Sequence, residues 1–430
     1  MLPPFIINIA NVFAHYERIC VGCWHYRHAF MKKLLFFVTE DWYFVTHRLD
    51  LAVAAKQAGY DVTIVTQISQ YESLIRDSGL NLVPISMSRR SLNIFTELAF
   101  IFRLYRIYKR INPDVVHNVT FKPVIYGTLV ARLLGVKKVV NALAGLGFLF
   151  RSATTKAKLL KALVRRVLYF LLNSPKCALI LQNPDDFRAI QEIGVKRNLM
   201  HLIKGAGVNT HIFAPTIIES VTKSNADTTI ESTTESITES SAETTDVSHD
   251  AAPVVLLATR MLWDKGVGEF VEAAKYSAEE GYNTRFVLVG KGDAENPNSI
   301  SDAQLQQWHD DGVVEWWGKR SDMPQVLNQA DIVCLPSNYG EGIPKVLIEA
   351  ASCAKAIVTT DTPGCREIVS HGKNGLLVPV EQPKSLYAAI HSLVLDRELR
   401  EQMGAAGRNM VQAQFSLETV VSQTLELYKY

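Results

Sequence analysis

Short apolar runs that alternate with helical patterns are the feature that most constrains the fold of this chain. From Leu34 the runs are LLFFVT, DVTIVT, DVVHN, KKVVNA and CALILQ, and helical patterns such as FTELAFIFRLYRIYKR separate them. Apolar strands joined by helices are typical of parallel sheets that are buried on both faces. The sequence therefore predicts an α/β architecture built from β-α-β units.

The alternation stops at an acidic stretch and then starts again. After residue 250 the strand-like runs are PVVLLATR, TRFVLVGKG, GVVEWWG, DIVCLPS, AIVTTD and GLLVPV. At 430 residues the chain is long enough for two domains, since a domain takes roughly 100–200 residues. We predict two doubly wound, Rossmann-like parallel-sheet domains, with a ligand site in the cleft between them, outside the carboxyl ends of the strands.

Composition sets the expected domain boundaries. Residues 216–250 carry eight acidic residues, one lysine and few large apolar residues, which predicts a disordered Ser/Thr/Glu-rich acidic insert. The flanking sequence predicts one domain over residues 32–215 and a second over 251–410. A C-terminal helix over 411–430 is expected to return to the first domain.

The N-terminal segment differs in character from the rest of the chain. Residues 1–31 lack the basic start and cleavage site of a signal peptide and show no clear period. Met31, by contrast, opens the strand-like run MKKLLFFVTE. We expect residues 1–31 to be an extension that is either non-native or disordered.

Charge indicates the kind of partner. The net charge is +2, but the acidic insert contributes −7, so the rest of the chain carries +9. Between Val115 and Pro184 there are eleven Lys or Arg residues and no Asp or Glu, which predicts a partner with negative charge. We expect no nucleic acid, because no recognised binding module accompanies this charge.

Cysteine content and hydropathy exclude two further classes. The six cysteines, at positions 20, 23, 177, 334, 353 and 365, do not form a paired zinc spacing, and they indicate a reducing cytoplasm and no metal. No uncharged apolar run reaches the roughly 18 residues of a membrane span. We therefore expect a chain that does not cross a bilayer.

Two cations in the second domain point to an anionic ligand. Arg260 and Lys265 stand five apart in ATRMLWDKGVGEF, where a predicted strand leads into a helix near Gly266. Cations above a helix N-terminus suit a diphosphate. A solvated loop pair is the more common explanation when such residues are seen alone, so the interpretation depends on neighbouring motifs.

The next two predicted strands are followed by glycine-containing loops. Gly290, in VGKG, would let the backbone approach a ligand, although such a glycine more often marks a plain turn. The loop of Gly318, Lys319 and Arg320 would either hold a nucleobase edge through main-chain groups or cap the helix near Met323.

Two glutamates stand eight positions apart in YGEGIPKVLIEA. Glu341 falls in a predicted loop, and Glu349 falls in a helix whose first turn is expected to hold Pro344. Ionised carboxylates accept paired hydrogen bonds from sugar hydroxyls. Two acids around a cationic centre fit a nucleoside diphosphate sugar, although each glutamate alone is more often a helix or turn residue.

The order of these motifs resembles a known family. The motifs are, in order, R-x4-K, VGKG, E-x7-E within EGIPKVLIEAASC, GCREIV and NGLLVP. This order resembles that of the retaining glycosyltransferases of family 4, which have the GT-B fold. The resemblance covers about residues 32–430 except the insert, and implies an acceptor-binding first domain and a nucleotide-sugar donor-binding second domain. TRMLWDKGVGEF and GDAENPNS are most similar to bacterial enzymes that add an N-acetylhexosamine to an undecaprenyl-diphosphate-linked sugar.

The resemblance also implies roles for individual residues. Arg260 and Lys265 would hold the donor diphosphate, Glu341 the sugar hydroxyls and Glu349 the ribose diol, and we expect the first three to be catalytic together with His117. The other residues assigned to the donor site are Gly290, Gly318, Lys319, Arg320, Gly342, Ile343, Pro344, Lys345 and Val346. No cofactor and no metal are implied, since the UDP-sugar is a substrate and no Asp-x-Asp motif occurs in the predicted donor site.

The acceptor half departs from the family pattern. Many relatives carry a second His two positions after the one at the end of DVVH, and TEDWYFVTHRL replaces the usual glycine-rich loop after the first strand. We place His47, Arg48, His117 and Lys122 on the acceptor side, near strand ends or in the loops after them. A lone His in such a place is more often structural than catalytic.

The run RSATTKAKLLKALVRRVLYFLL has six basic residues, no acid and apolar residues at helical spacing. It predicts a basic amphipathic helix. Such a helix either lies on an anionic membrane surface or is an ordinary domain helix with a solvated basic face.

Together these features predict an enzyme on the inner face of the cell membrane, cytoplasmic and peripheral. It would move a hexose or N-acetylhexosamine from a UDP-sugar to a polyprenyl-diphosphate-linked glycan in surface glycan or glycoprotein assembly. The alternatives are a nucleotide-sugar epimerase or hydrolase on the same scaffold and a non-catalytic nucleotide-sugar-binding subunit.

Overall fold

The computed structural model describes most of the chain. The described residues are 31–87, 93–143, 145, 155–216, 252–293 and 295–430. The predictions of an N-terminal extension and of a disordered acidic insert lie outside them, apart from the edge residues 31 and 216.

Two parallel sheets form the frame of the molecule. The strands are β1 (Lys32–Glu40), β2 (Tyr60–Gln67), β3 (Asn81–Pro84), β4 (Val115–Val119), β5 (Lys138–Leu143), β6 (Cys177–Leu181), β7 (Met200–Leu202), β8 (Val254–Ala258), β9 (Arg285–Val289), β10 (Glu315–Trp316), β11 (Ile332–Leu335), β12 (Ala356–Thr360) and β13 (Leu376–Val378). The first sheet has the order β3-β2-β1-β4-β5-β6-β7, and the second has the order β10-β9-β8-β11-β12-β13. In each sheet the strand order changes direction next to the strand that comes first in the sequence, β1 or β8. This confirms the predicted doubly wound α/β fold class.

Helices connect the strands. In chain order they are α1 (Asp41–His47), α2 (Leu49–Gln57), α3 (Glu72–Asp77), α4 (Ile94–Ile111), α5 (Phe121–Leu133), α6 (Thr155–Leu172), α7 (Pro184–Ile193), α8 (Val267–Glu279), α9 (Asp302–Asp310), α10 (Met323–Asn328), α11 (Lys345–Ser352), α12 (Pro383–Leu395), α13 (Arg397–Gln414) and α14 (Leu417–Glu426).

The chain divides into two compact units. One contains residues 1–118 and 126–139, and the other contains residues 119–125 and 140–430, as far as the structure describes them. This division groups β6, β7 and most of β5 with the second sheet, so it does not test boundaries drawn from composition. The domain boundaries at 32–215, 251–410 and 411–430 stay a prediction.

Alternate residues of the second sheet enter two different cores, because successive side chains of a strand point to opposite faces. Val254 and Leu256 of β8 belong to one buried cluster with Leu347 of α11. Val255 belongs to the other cluster with Phe270 of α8. Burial on both faces explains why the strand reads VVLLA without a polar position.

The two edge strands of the first sheet were missed by sequence reasoning. β3 and β7 have four and three residues, too few to show a period of two, and each lies at an edge of the first sheet. They pair in parallel with β2 and β6. Their strand conformation is therefore set by hydrogen bonds to the neighbouring strand rather than by their own sequence.

The basic amphipathic pattern does form a helix, α6. Its side chains are described from residue 162 onward, and there Leu168 and Leu172 pack in a buried cluster with Leu143 and Leu179. Although Leu163 is 60% exposed, Leu168 and Leu172 of the apolar stripe face the interior of their unit. This favours the ordinary domain helix over the membrane-surface helix for these residues.

Asp41 joins the start of α1 to the loop after β2. Its buried carboxylate accepts hydrogen bonds from the backbone N–H groups of Ser69, Gln70 and Tyr71 at 2.7, 2.9 and 2.9 Å, and from the Ser69 hydroxyl at 2.5 Å. Burial raises the pKa of Asp41, but these hydrogen bonds outweigh it and the pKa is lowered overall. The ionised carboxylate is thus the form that stabilises this junction.

Replacing Asp41 by Ala should lower the free energy of unfolding by about 2–3 kcal/mol, because the loop N–H groups lose a charged acceptor. Since the folded pKa lies below the unfolded one, this contribution should be complete above the unfolded pKa and should disappear as pH falls through the folded pKa. Urea denaturation of wild type and variant at about pH 7 and about pH 3 measures it. A difference between the two proteins that does not change with pH would contradict the assignment.

Candidate active site

The carboxyl edge of the second sheet gathers the predicted residues. The loops that leave β8, β9, β10 and β11 at this edge carry Arg260, Gly290, Gly318 and Glu341. Two of these loops are joined directly, because the Gly290 N–H donates a hydrogen bond to the Gly318 carbonyl at 2.8 Å. Parallel strands place all of their carboxyl ends on one side, so residues far apart in sequence meet there.

Lys265 and Glu341 form a buried ion pair. The lysine Nζ lies 2.5 Å from Oε2 of Glu341, and the two side chains are 8% and 13% exposed. The ammonium group also lies 5.0 Å from the ring centre of Tyr339. Burial lowers the pKa of Lys265, but Glu341 and Tyr339 more than offset this and raise it above its usual value. The lysine is therefore held in its charged form.

The second oxygen of Glu341 is available for a further contact. Oε1 is buried and has no hydrogen-bond partner among the residues that the structure describes. An ionised carboxylate oxygen accepts hydrogen bonds only. It could therefore accept one from a ligand hydroxyl while Oε2 remains with Lys265.

A glycine fixes the turn that carries Lys265. The residues Trp263–Lys265 form a 3-10 turn that ends at Gly266, whose φ is +74°. A Cβ atom at Gly266 would lie 2.0 Å from the Pro336 carbonyl oxygen, so only glycine fits. α8 begins at the next residue, which agrees with the helix start predicted near Gly266.

Arg260 lies at the rim of the same edge. Its Nη1 is 3.0 Å from Oδ2 of Asp293, and its side chain is 42% exposed. Sequence reasoning did not identify Asp293, although GDAENPNS contains it. Arg260 and Lys265 therefore stand at this edge with different carboxylate partners, Arg260 exposed and Lys265 buried.

The glycine loops have structural explanations of their own. At Gly290 φ is +141°, and a Cβ atom would lie 1.8 Å from the Thr259 carbonyl oxygen, so this glycine lets two loops cross. Gly318 has a φ of +67°. Arg320 pairs with Asp322, the residue before α10, at 2.5 Å, and the Asp322 side chain makes no capping hydrogen bond to that helix.

Glu349 is not the exposed helix residue that a lone glutamate suggests. It is buried in α11, and its Oε1 lies 3.3 Å from Nζ of Lys345. Burial raises the pKa of Glu349, and Lys345 offsets part of that effect. The prediction that Pro344 lies in the first turn is wrong by one residue, because Pro344 is the extended N-cap and the helix begins at Lys345.

Two residues after β6 hold the loop that carries Glu341. The Ile343 N–H donates to Oε1 of Gln182 at 2.9 Å, and Nδ2 of Asn183 donates to the Glu341 carbonyl at 3.1 Å. Both polar side chains are buried. Sequence reasoning missed them, although polar residues directly after the buried strand CALIL were the signal that could have found them.

Known proteins resemble this chain over most of its length. Residues 244–410 match the family model "Glycosyl transferases group 1", and residues 33–174 match "Glycosyl transferase 4-like". Over 383 residues the chain is 30% identical to an N,N'-diacetylbacillosaminyl-diphospho-undecaprenol alpha-1,3-N-acetylgalactosaminyltransferase of Campylobacter jejuni, covering 89% of this chain and 94% of the relative. The chain belongs to glycosyltransferase family 4.

Further comparisons agree with this membership. The chain is 25% identical over 375 residues to an Escherichia coli UDP-Gal:alpha-D-GlcNAc-diphosphoundecaprenol alpha-1,3-galactosyltransferase, covering 86% of this chain and 89% of the relative. A solved glycosyltransferase from Rickettsia africae has a TM-score of 0.71 at 18% identity, with 93% of this chain and 98% of that chain covered. Anabaena HepE, solved with UDP and glucose, has a TM-score of 0.70 at 17% identity, with 92% and 98% covered.

These comparisons confirm the resemblance and the GT-B fold that the motifs predicted. They also show that this chain, as a member of family 4, is a hexosyltransferase. They favour the transferase over the epimerase, the hydrolase and the non-catalytic subunit. The roles assigned to single residues stay predictions. Within the described residues no three His, Cys, Asp or Glu side chains form a group that could hold a metal ion, and the same part of the chain contains no helix long and apolar enough to span a membrane.

The acceptor-side region of this family 4 enzyme differs from the prediction at His117. β4 continues through His117 to Val119, and α5 begins at Phe121. The loop NVTFKP predicted after His117 is therefore wrong, and Lys122 lies in the first turn of α5. A single residue, Thr120, makes the turn with a φ of +76°, which apolar patterning does not reveal.

His47 and Arg48 also lie outside the predicted loop. His47 ends α1, and Arg48 stands between α1 and α2. Arg48 is buried, its Nη1 donates to the His47 carbonyl at 3.0 Å, and its Nε has no partner among the described residues. Burial and the charge of Arg48 hold the pKa of His117 well below its usual value. His117 is therefore neutral and does not itself attract an anion.

Replacing Lys265 by Met should destabilise the protein by about 3 kcal/mol, because Glu341 would be left buried without its counter-charge. The double variant Lys265→Met/Glu341→Gln should recover most of this loss, since no lone charge remains. Urea denaturation measures both.

The matched control is the exposed pair Arg397 and Glu401 of α13, where Arg397→Met should cost less than about 1 kcal/mol. An equal loss in the single and double variants at Lys265 and Glu341 would show that the ion pair is not the cause.

Proposed function

We propose that the enzyme transfers a hexose or N-acetylhexosamine from a UDP-sugar to a polyprenyl-diphosphate-linked sugar, with retention of the anomeric configuration. The observation that carries the proposal is the buried Lys265–Glu341 pair at the carboxyl edge of the second sheet. The pair combines a cation for a diphosphate with a carboxylate oxygen for a sugar hydroxyl.

The donor would lie across this edge. Lys265 and Arg260 neutralise the charge that builds on the departing diphosphate, an electrostatic effect that often dominates catalysis. Oε1 of Glu341 accepts a hydrogen bond from the transferred sugar. Glu349 of α11 accepts hydrogen bonds from the ribose diol when ionised.

The reaction that suits this arrangement needs no side-chain base. The bond from the anomeric carbon to the diphosphate oxygen breaks while the acceptor oxygen bonds to the same face of that carbon. The acceptor proton passes to the leaving phosphate oxygen.

The names of two relatives support the acceptor assignment. Both act on sugars linked to undecaprenol by a diphosphate. We extend this to a peripheral, cytoplasmic enzyme at the inner face of the cell membrane, in surface glycan or glycoprotein assembly, with no nucleic acid partner and no cofactor. Eleven basic residues and no acidic residue lie between Val115 and Pro184, and this excess of positive charge suits such an anionic environment.

The function is tested by incubating the purified protein with a panel of UDP-sugars and synthetic polyprenyl-diphosphate-linked sugars, and by identifying products by mass spectrometry. A disaccharide on the lipid is the expected product, and NMR of its linkage reports retention. Free sugar or an isomerised UDP-sugar formed without acceptor would support a hydrolase or an epimerase instead.

Arg260→Gln should lower kcat by about 10²-fold, the effect of removing one group that stabilises transition-state charge. Folding should be unaffected because the side chain is at the rim. The Lys265→Met/Glu341→Gln protein should be folded and inactive. Arg397→Gln on α13 is the matched arginine control, and a folded Arg260→Gln protein with normal turnover would refute the donor-site assignment.

A further inference from the structure

Helix α4 presents an apolar face that is exposed in the described part of its unit. Ile94, Phe95, Leu98 and Phe102 are between 57% and 78% exposed. Ile94, Leu98 and Phe102 repeat every four residues, which places them on one side of the helix. We call these four residues, with the four basic residues that follow them, the α4 surface.

The opposite side of α4 fixes its rotation. Phe100, Leu104 and Tyr108 are buried, and the rings of Phe100 and Tyr108 lie 6.2 and 6.5 Å from the ring of Phe37 in β1. The Asn93 side chain caps the helix by accepting from the Phe95 N–H at 3.0 Å. The outward apolar residues are thus held in place by a packed inner face.

Basic residues follow the apolar residues toward the C-terminal end of α4. Arg103, Arg106, Lys109 and Arg110 lie there, and within the described part of the chain none of the four forms an ion pair with a carboxylate. The helix has one acidic residue, Glu97, and its carboxylate accepts a hydrogen bond from the Tyr126 hydroxyl. The four cations are therefore not neutralised by their own helix.

We propose that the α4 surface docks the enzyme on an anionic lipid bilayer. Exposed Phe, Leu and Ile side chains enter the boundary between headgroups and acyl chains, and the basic residues bind the headgroup phosphates. A second copy of the chain is a poorer occupant, because two α4 surfaces would bring eight cations together. The inference rests on the proposed function in one respect, namely that a lipid-linked acceptor brings the enzyme to a membrane.

Helix α6 offers a matched comparison. It is also basic and amphipathic, but Leu168 and Leu172 are used in its own core. Two of its apolar residues, Leu163 and Phe170, are 60% and 57% exposed. They match Leu98 and Phe102 of α4 in residue type and exposure, so variants on the two helices differ mainly in location.

The experiment measures sedimentation of the full chain with vesicles of equal parts phosphatidylglycerol and phosphatidylcholine. Leu98→Ser/Phe102→Ser and Arg106→Gln/Lys109→Gln should each weaken binding by about tenfold or more, and the charge variant should lose most of the salt dependence. Leu163→Ser/Phe170→Ser should bind within about twofold of wild type, by the same argument. Pure phosphatidylcholine vesicles should bind wild type weakly.

Three results would overturn the proposal. They are loss of binding in the α6 variant but not in the α4 variants, equal binding to anionic and neutral vesicles, and a dimer of wild type that the α4 variants abolish in sedimentation velocity without vesicles.

A second assay, transfer to a short-chain, water-soluble diphosphate-linked acceptor, separates the membrane-docking proposal from the proposed function. The α4 variants should keep the wild-type kcat with this soluble acceptor. Absence of transfer by the wild-type protein would refute the proposed function, and membrane docking would then be judged by the vesicle result alone.

Discussion

Burial of the parallel strands on both faces determines where chemistry can occur in this protein. Every residue of β8 lies in one core or the other, so a charged side chain on the strand would be buried without a partner. The Lys265–Glu341 pair accordingly lies in loops at the carboxyl edge rather than on β8 itself. Those loops cross closely, and at Gly364 a Cβ atom would lie 1.9 Å from the Gly342 carbonyl oxygen. Glycine at such crossings is a condition for assembling the edge at all.

The Lys265–Glu341 pair couples the folding of that edge to the placement of its charged groups. A single buried charge is costly, and a buried pair offsets this cost only when both partners are present. The two residues are 76 positions apart in the chain and meet only when β8 and β11 are adjacent. Since the pair joins the loops of two central strands, the same contact that stabilises the edge also places a cation beside a carboxylate.

Sequence reasoning could predict what depends on local order. Alternation of apolar runs predicted the sheets, and R-x4-K with E-x7-E predicted which loops would meet at their carboxyl edge. It could not predict that Lys265 would pair with Glu341, because nothing in either motif encodes a contact between them. It also placed a loop after His117, because the one-residue turn at Thr120 depends on a backbone angle rather than on composition. Gln182 and Asn183 were missed as supports of the Glu341 loop because the groups they bond there are backbone atoms 161 and 158 positions away in the chain.

Amphipathic spacing alone does not decide which side of a helix meets solvent. α4 and α6 both combine basic residues with apolar residues at helical intervals, yet Leu168 and Leu172 of α6 are used in a core. α4 has more apolar residues than one buried side can hold: Phe100, Leu104 and Tyr108 fill the inner face, and the others remain outside. Exposed aromatic and aliphatic groups lack the stabilisation that burial gives, and a patch of them marks an interaction site. Their position beside cations that their own helix does not neutralise is therefore better explained by an external anionic surface than by the packing of the domain.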